Sequence, residues 1–163
     1  MTLRLVPMTG REPERVAHLV PLPEQESFVG SAAESLRLAP PDRDFHLGLD
    51  GEDVVAFFTI DPGFSARIPR LPDGAHGLRG LIVDPARQGR GYGRALMEAL
   101  PAYLAARYPG LDSIWLSVDL GNAAARRLYA RTGWRLDGPE IPGREGPEAV
   151  LRLELPTGST DRG

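Results

Sequence analysis

The stretch IVDPARQGRGYGRALM, from Ile82 to Met97, places an apolar strand end, a turn bearing Gly89, Gly91 and Gly93, and the start of an amphipathic helix in that order. Glycines at such a turn let the main chain approach a ligand closely. The unpaired amides at the helix start, together with the helix dipole, favour a phosphate or pyrophosphate there. Arg87, Arg90 and Arg94 can add charge-assisted hydrogen bonds. Two familiar phosphate loops do not fit. A Walker loop needs a lysine, and this chain has none. The dinucleotide fingerprint needs a glycine where this chain has Arg94. The same triplet also serves as a plain tight strand-to-helix connection, so the surrounding chain has to decide between the two readings.

Upstream, His76 to Val83 reads as the strand that feeds the turn. Downstream, a long helix is predicted from about Gly91 to Tyr108, burying Leu96, Leu100 and Leu104, with a bend or break at Pro101. Before the turn, DFHLGLDGEDVVAFFTI from Asp44 to Ile60 is two apolar runs joined at Asp50-Gly51, the signature of an antiparallel hairpin. Leu3, Leu5 and Pro7 mark a first strand. Val16, Leu19 and Val20 predict a helix over 11–20, and a second helix is predicted from Ser31 with Ala32, Leu36 and Ala39 inward. Residues 61–75, rich in proline and glycine, read as a long loop of the kind that borders a substrate site. Asp112 to Asp119 predicts another strand, Asn122 to Thr132 a helix stopped by Gly133, and Trp134 to Leu136 and Ala149 to Leu155 the closing strands. No linker or repeat interrupts the chain. One domain over 1–156 is expected, with 157–163 as a frayed tail.

Composition narrows the chemistry. The chain has 163 residues, no cysteine and a net charge of -3, which removes disulfides, thiolate nucleophiles and cysteine-ligated metals, and gives no global attraction to nucleic acid or an acidic membrane. His18, His46 and His76 lie far apart without ligand spacing, so no metal site is expected. The sequence shows no bilayer-spanning apolar run and no secretory signal, and a cytoplasmic location is expected. A small-molecule or peptide partner fits these limits.

The run Gln88, Gly91, Gly93 resembles the Gln/Arg-x-x-Gly-x-Gly/Ala signature of the GNAT superfamily of N-acetyltransferases. The resemblance continues in DLGNAAARRLYARTGW, with its asparagine, helix, tyrosine seven residues on and closing Gly-aromatic pair. Together these segments span roughly residues 76–137, and the preceding hairpin suits the same fold. The resemblance implies an α/β (α+β) architecture: a mixed, mostly antiparallel twisted sheet with helices on both faces and splayed central strands. It also implies acetyl-CoA as co-substrate. Main-chain groups of Leu81, Ile82 and Val83 would pair with the pantetheine arm like an added strand. Amides of Gln88, Gly89, Arg90, Gly91, Tyr92, Gly93 and Arg94 would hold the pyrophosphate. The Asn122 side chain would contact the cofactor arm, and Arg131 would assist near the adenosine end. Homodimerisation is a family-level expectation.

Asn122 and Tyr129 are about two helical turns apart and share a side of their helix. Read alone, Asn122 is an N-cap and Tyr129 an amphipathic core residue. The resemblance implies that Tyr129 is the general acid that protonates the departing thiolate after direct attack by an amine. A base is not singled out: Glu26, Glu34, Asp84 and His76 are all candidates. For the acceptor, QESFVGSAAESL (Gln25 to Leu36) and DGPEIPGREGPEAVLRLEL (Asp137 to Leu155) are similar to the spermine/spermidine branch, and Glu24, Glu26 and Glu34 would suit a polycation. Arg67, Arg70 and Arg79 would repel one. A small primary amine, an amino-acid amine or a protein amino terminus all remain open. Two other readings stay beside the enzyme: a module that senses acetyl-CoA without turnover, and a nucleotide-binding regulatory domain.

Overall fold

Leu3–Pro7 forms strand β1, which pairs antiparallel with β2 (Asp44–Asp50), and β2 turns back into β3 (Asp53–Asp61). Gly51 is the first central residue of that turn, with φ 62°, where a two-residue hairpin of this hand needs positive φ. The computed structural model describes residues 2–26 and 28–157. Among them are eight strands and three α-helices, a mixed α/β fold with an open, mostly antiparallel sheet. The chain forms two compact units, Met1–Pro62 with Leu78–Leu96, and Gly63–Gly77 with Met97–Gly163.

In the first unit, β4 (Gly77–Val83) lies beside β3. Helix α1 (Ala32–Leu38) starts where expected, because the Ser31 hydroxyl accepts a hydrogen bond from the Glu34 amide at 3.1 Å and caps it. Its Ala32 and Leu36 pack with Phe45, Leu47, Phe57 and Ile82 in one apolar cluster. The helix predicted for 11–20 is not formed. A single 3-10 turn occupies Pro13–Arg15 instead, and Glu12 before it makes no side-chain cap. Ten residues bracketed by Gly10 and Pro21 are too few to repay helix nucleation without a cap. The segment still buries Val16 and Leu19, while Val20 is exposed.

In the second unit, β5 (Ser113–Asp119) pairs antiparallel with β8 (Pro147–Glu154) along its full length, from Ser113 opposite Glu154 to Asp119 opposite Glu148. The short strands β6 (Arg135–Leu136) and β7 (Ile141–Pro142) both pair with β8. β7 has no counterpart in the sequence reading, since a two-residue strand carries no periodicity. Residues 61–75, read as a loop, carry after β3 only a single 3-10 turn at Phe64–Ala66, yet this loop is packed down. Phe64, Ile68, Leu71 and Ala75 are buried against Trp115 and Val150. Gly77 explains one close fit, because a Cβ there would lie 2.2 Å from the Phe64 ring. Helix α2 (Tyr92–Arg107) begins in the first unit and continues into the second, unbroken through Pro101. Helix α3 (Ala123–Arg131) is capped by Asn122 and followed by Gly133 at φ 99°. Of the expected tail, only Thr157 lies among the described residues.

Candidate active site

β4 leads to the glycine turn through a braced corner. The Asp84 amide donates to the Val55 carbonyl at 2.8 Å, and the Asp84 side chain accepts from the Ala86 amide at 3.0 Å. Gln88 is pinned from two sides: its amide nitrogen donates to the Val83 carbonyl at 3.1 Å, and its oxygen accepts from Gln25 at 3.1 Å. Gly89 and Gly91 then take φ 83° and 86°, which ordinary L-residues avoid, and a Cβ on Gly89 would meet nothing within 4 Å. The turn is therefore shaped by backbone and not by packing. The first helical hydrogen bond runs from the Ala95 amide to the Gly91 carbonyl at 3.0 Å, so the amides of Tyr92 and Gly93 precede it and have no intrahelical acceptor. A 16-residue helix concentrates its positive end there.

The side chains of the turn divide by role. Tyr92 is buried, and its hydroxyl donates to Asp50 in the β2–β3 turn. Arg87 donates to Asp53 at 2.8 Å and lies 3.9 Å from Asp50 and from Asp84. The hydrogen bond to Asp53, then that with Tyr92, raises its already high pKa. Arg87 is thus engaged with carboxylates and not turned to an anion, contrary to the expectation for it. Arg90 and Arg94 are exposed. Leu81 and Val83 are half-buried and Ile82 buried. Gly80, just before them, has φ 62° inside the strand, the mark of a bulge. The sequence reading did not single it out, although an isolated glycine within a strand pattern is the signal that finds such positions.

On the second unit, the Asn122 oxygen accepts from the Ala125 amide at 3.3 Å, so the cap uses the oxygen and leaves the side-chain NH2 for another partner. Tyr129 stands two turns on, packed against Trp134 with ring centroids 5.6 Å apart. Burial alone pushes its phenol up to about 12. Arg131 is exposed in the last turn of α3. Asp119, at the end of β5, accepts from the Gly121 amide at 2.7 Å with one oxygen, while its other oxygen is buried without a partner.

The candidate bases do not separate into one answer. Glu26 is exposed, Glu34 lies 3.9 Å from Arg37, Asp84 braces the corner, and His76 Nδ1 sits 2.8 Å from the Gly74 carbonyl. The three arginines expected to repel a polycation are each paired: Arg67 with Glu148 at 2.8 Å, Arg70 with Asp137 at 3.9 Å, and Arg79 with Asp61 at 2.8 Å. Their charge is largely cancelled where it stands.

Residues 12–134 match the acetyltransferase (GNAT) family. The [ribosomal protein bS18]-alanine N-acetyltransferase of Haemophilus ducreyi is 33% identical over 123 residues, which are 76% of this chain and 72% of that protein. Mycothiol acetyltransferase of Beutenbergia cavernae is 46% identical over 66 residues, 40% of this chain and 22% of that one. Among solved structures, an aminoglycoside acetyltransferase in complex with coenzyme A matches with a TM-score of 0.74 at 16% identity, over 94% of this chain and 95% of that chain. At that identity the likeness speaks for the fold.

Proposed function

The chain belongs to the acetyltransferase (GNAT) family and is an acetyl-CoA-dependent N-acetyltransferase, and we propose that its acceptor is a small primary amine attacked directly, with no covalent enzyme intermediate. The observation that carries the proposal for the cofactor seat is the turn itself: two glycines at positive φ, open to solvent, ahead of the unpaired amides of a 16-residue helix. In this reading the main chain of Leu81, Ile82 and Val83 takes the pantetheine arm, and the amides from Gln88 to Arg94 take the pyrophosphate. Asn122 contributes its free side-chain NH2, and Arg131 acts near the adenosine end. Residues 1–156 work as one catalytic domain in the cytoplasm; no helix among the described residues is long and apolar enough to cross a membrane.

Acetyl-CoA supplies an activated acyl carbon. The amine nitrogen forms the C–N bond as the C–S bond breaks; the nitrogen gives up a proton and the sulfur gains one, leaving an amide and free coenzyme A. Tyr129 is the proposed donor to sulfur. With its phenol held near 12, it stays protonated throughout the neutral range. A phenol that weak transfers its proton only as negative charge builds on the sulfur, so donation and C–S cleavage must be coupled.

A polyamine stays within this reading, because the arginines that would oppose it are paired with carboxylates. The α-amino group of a protein is the second reading, favoured by a relative named for acetylating an alanine of a ribosomal protein. The test is thiol release from acetyl-CoA across a panel of amines, with wild type beside Tyr129→Phe. Release that depends on the amine and falls about 10²-fold or more in a folded variant supports the proposal. Acetyl-CoA binding with no release on any amine would instead favour a sensor.

A further inference from the structure

We propose that Ser35, Thr59 and Gly80 form the seat of the acceptor amine, and that this seat selects weakly basic amines, of the α-amino type, over strongly basic alkyl amines. The inference rests on the proposed cofactor seat. If the pyrophosphate lies at the glycine turn and the pantetheine arm follows Val83, Ile82 and Leu81 in that order, the thioester end reaches Gly80, the next residue away from the turn.

At Gly80 the strand takes φ 62°, and the missing Cβ leaves room beside two hydroxyls: a Cβ there would lie 3.5 Å from Ser35 Oγ and 3.9 Å from Thr59 Oγ1. Ser35 comes from α1 and Thr59 from β3, so two elements converge on one strand defect. Thr59 is only 4% exposed, yet neither hydroxyl has a hydrogen-bond partner among the described residues. Nor is Thr59 Oγ1 sealed in, because among the described residues the fully buried side-chain atoms without a hydrogen-bond partner are Arg43 Nε, Asp119 Oδ2 and Trp134 Nε1. A nearly buried hydroxyl that is unpaired within the fold but open at its tip is suited to a guest. Two hydroxyl oxygens accept hydrogen bonds from the N–H groups of an amine while its lone pair remains for attack.

The charged groups nearby set the selectivity. Asp61, two residues beyond Thr59 on the same face of β3, is 2% exposed and held by Arg43 at 3.2 Å and Arg79 at 2.8 Å. Arg43 also lies 3.9 Å from Asp42, so two arginines face two carboxylates and these carboxylates are already engaged with cations rather than offered to an ammonium. On α1, Glu34 is exposed and lies 3.9 Å from Arg37. The seat therefore offers hydroxyls but no unpaired carboxylate to strip a proton from a strong base. An α-amino group, titrating near 8, is about half neutral at pH 8, whereas an alkyl amine titrating near 10.4 is neutral in under about 1% of molecules.

The test uses L-alaninamide and putrescine as probes at pH 8. Wild type is expected to prefer L-alaninamide at least 10-fold in kcat/KM. Thr59→Val, which swaps the hydroxyl for a methyl of the same shape, is expected to raise the KM for L-alaninamide about 10-fold while the KM for acetyl-CoA and the Tm stay unchanged. Thr59→Ser restores the wild-type KM. An unchanged amine KM in Thr59→Val, or a preference for putrescine, overturns the seat. Absence of transfer to both probes by a wild-type chain that still binds acetyl-CoA calorimetrically also overturns the seat and leaves the cofactor reading standing, whereas a chain that binds no acetyl-CoA fails at the cofactor reading itself.

Discussion

The role proposed for Tyr129 asks it to be hidden and to be an acid at once, and its burial makes the two compatible. Its pKa moves from 10 to about 12 because the phenolate is poorly solvated where it sits. The sign follows directly. Between pH 10 and 12 the folded chain keeps a proton that the unfolded chain loses, so this group stabilises the fold fully below pH 10 and that contribution disappears as pH rises toward 12. Urea melts at pH 8, 10 and 11 are expected to lose less stability in Tyr129→Phe than in wild type over the upper interval. In kinetics, no alkaline limb below about pH 11 should be assignable to this phenol. Asn122 separates two roles in the same way. Asn122→Asp keeps an oxygen for the Ala125 amide and so keeps the cap, whereas Asn122→Ala removes it and is expected to cost about 1 kcal/mol in a denaturant melt. If the free NH2 serves the cofactor, both variants raise the KM for acetyl-CoA, although only the alanine lowers the stability. Read alone, Asn122 is a cap and Tyr129 a core residue, and both are found so; their proposed roles come from the resemblance of DLGNAAARRLYARTGW to the GNAT segment. Thr59 was not legible: within AFFTI it reads as an ordinary β-branched strand residue, and only its missing partner in the fold sets it apart.

At the scale of elements, the glycine turn and the strand before it act by backbone shape. Gly89→Ala places a methyl in open space on a residue at φ 83°, a conformation that costs an L-residue about 1–2 kcal/mol. We expect it to raise the KM for acetyl-CoA about 10-fold with a small change in Tm. An unchanged KM would mean that the turn is only a connection. Gly77→Ala is the opposite case. Its Cβ would run into the Phe64 ring, so a loss of about 1–3 kcal/mol in stability is expected, read as a lower Tm. Elements with strong local chemistry were readable in advance: the Asp50-Gly51 hairpin, the Ser31 cap of α1 and the Asn122 cap of α3 all stand where the sequence put them. The helix over 11–20 failed because apolar spacing alone does not make a helix; Val16 and Leu19 reach the core from turns instead. Residues 61–75 are a loop as read, but their prolines and glycines hide a second pattern, in which Phe64, Ile68, Leu71 and Ala75 are buried in one apolar cluster. The helix expected from about Gly91 to Tyr108 is found as Tyr92–Arg107, and the break offered at Pro101 is absent, since losing one amide donor did not end the helix.

For the whole molecule, the mixed α/β class and the acetyltransferase (GNAT) family were both in reach of the sequence, because the turn and the DLGNAAARRLYARTGW segment are short, ordered motifs with chemistry attached. The acceptor was out of reach, because it depends on where charges cancel. Arg67, Arg70 and Arg79 look like a cationic barrier as letters and are neutralised pairs in the fold. Binding of acetyl-CoA should also stabilise the entire chain. At a concentration 100 times Kd, about 2.7 kcal/mol is added, which is visible as a rise in Tm. Calorimetric titration of acetyl-CoA, compared with S-acetyl-pantetheine, which lacks the pyrophosphate and adenosine, tests the central claim most directly. Our account expects one acetyl-CoA per chain and binding at least 100-fold weaker without the pyrophosphate; equal affinity for the two, or no binding of acetyl-CoA, would contradict it.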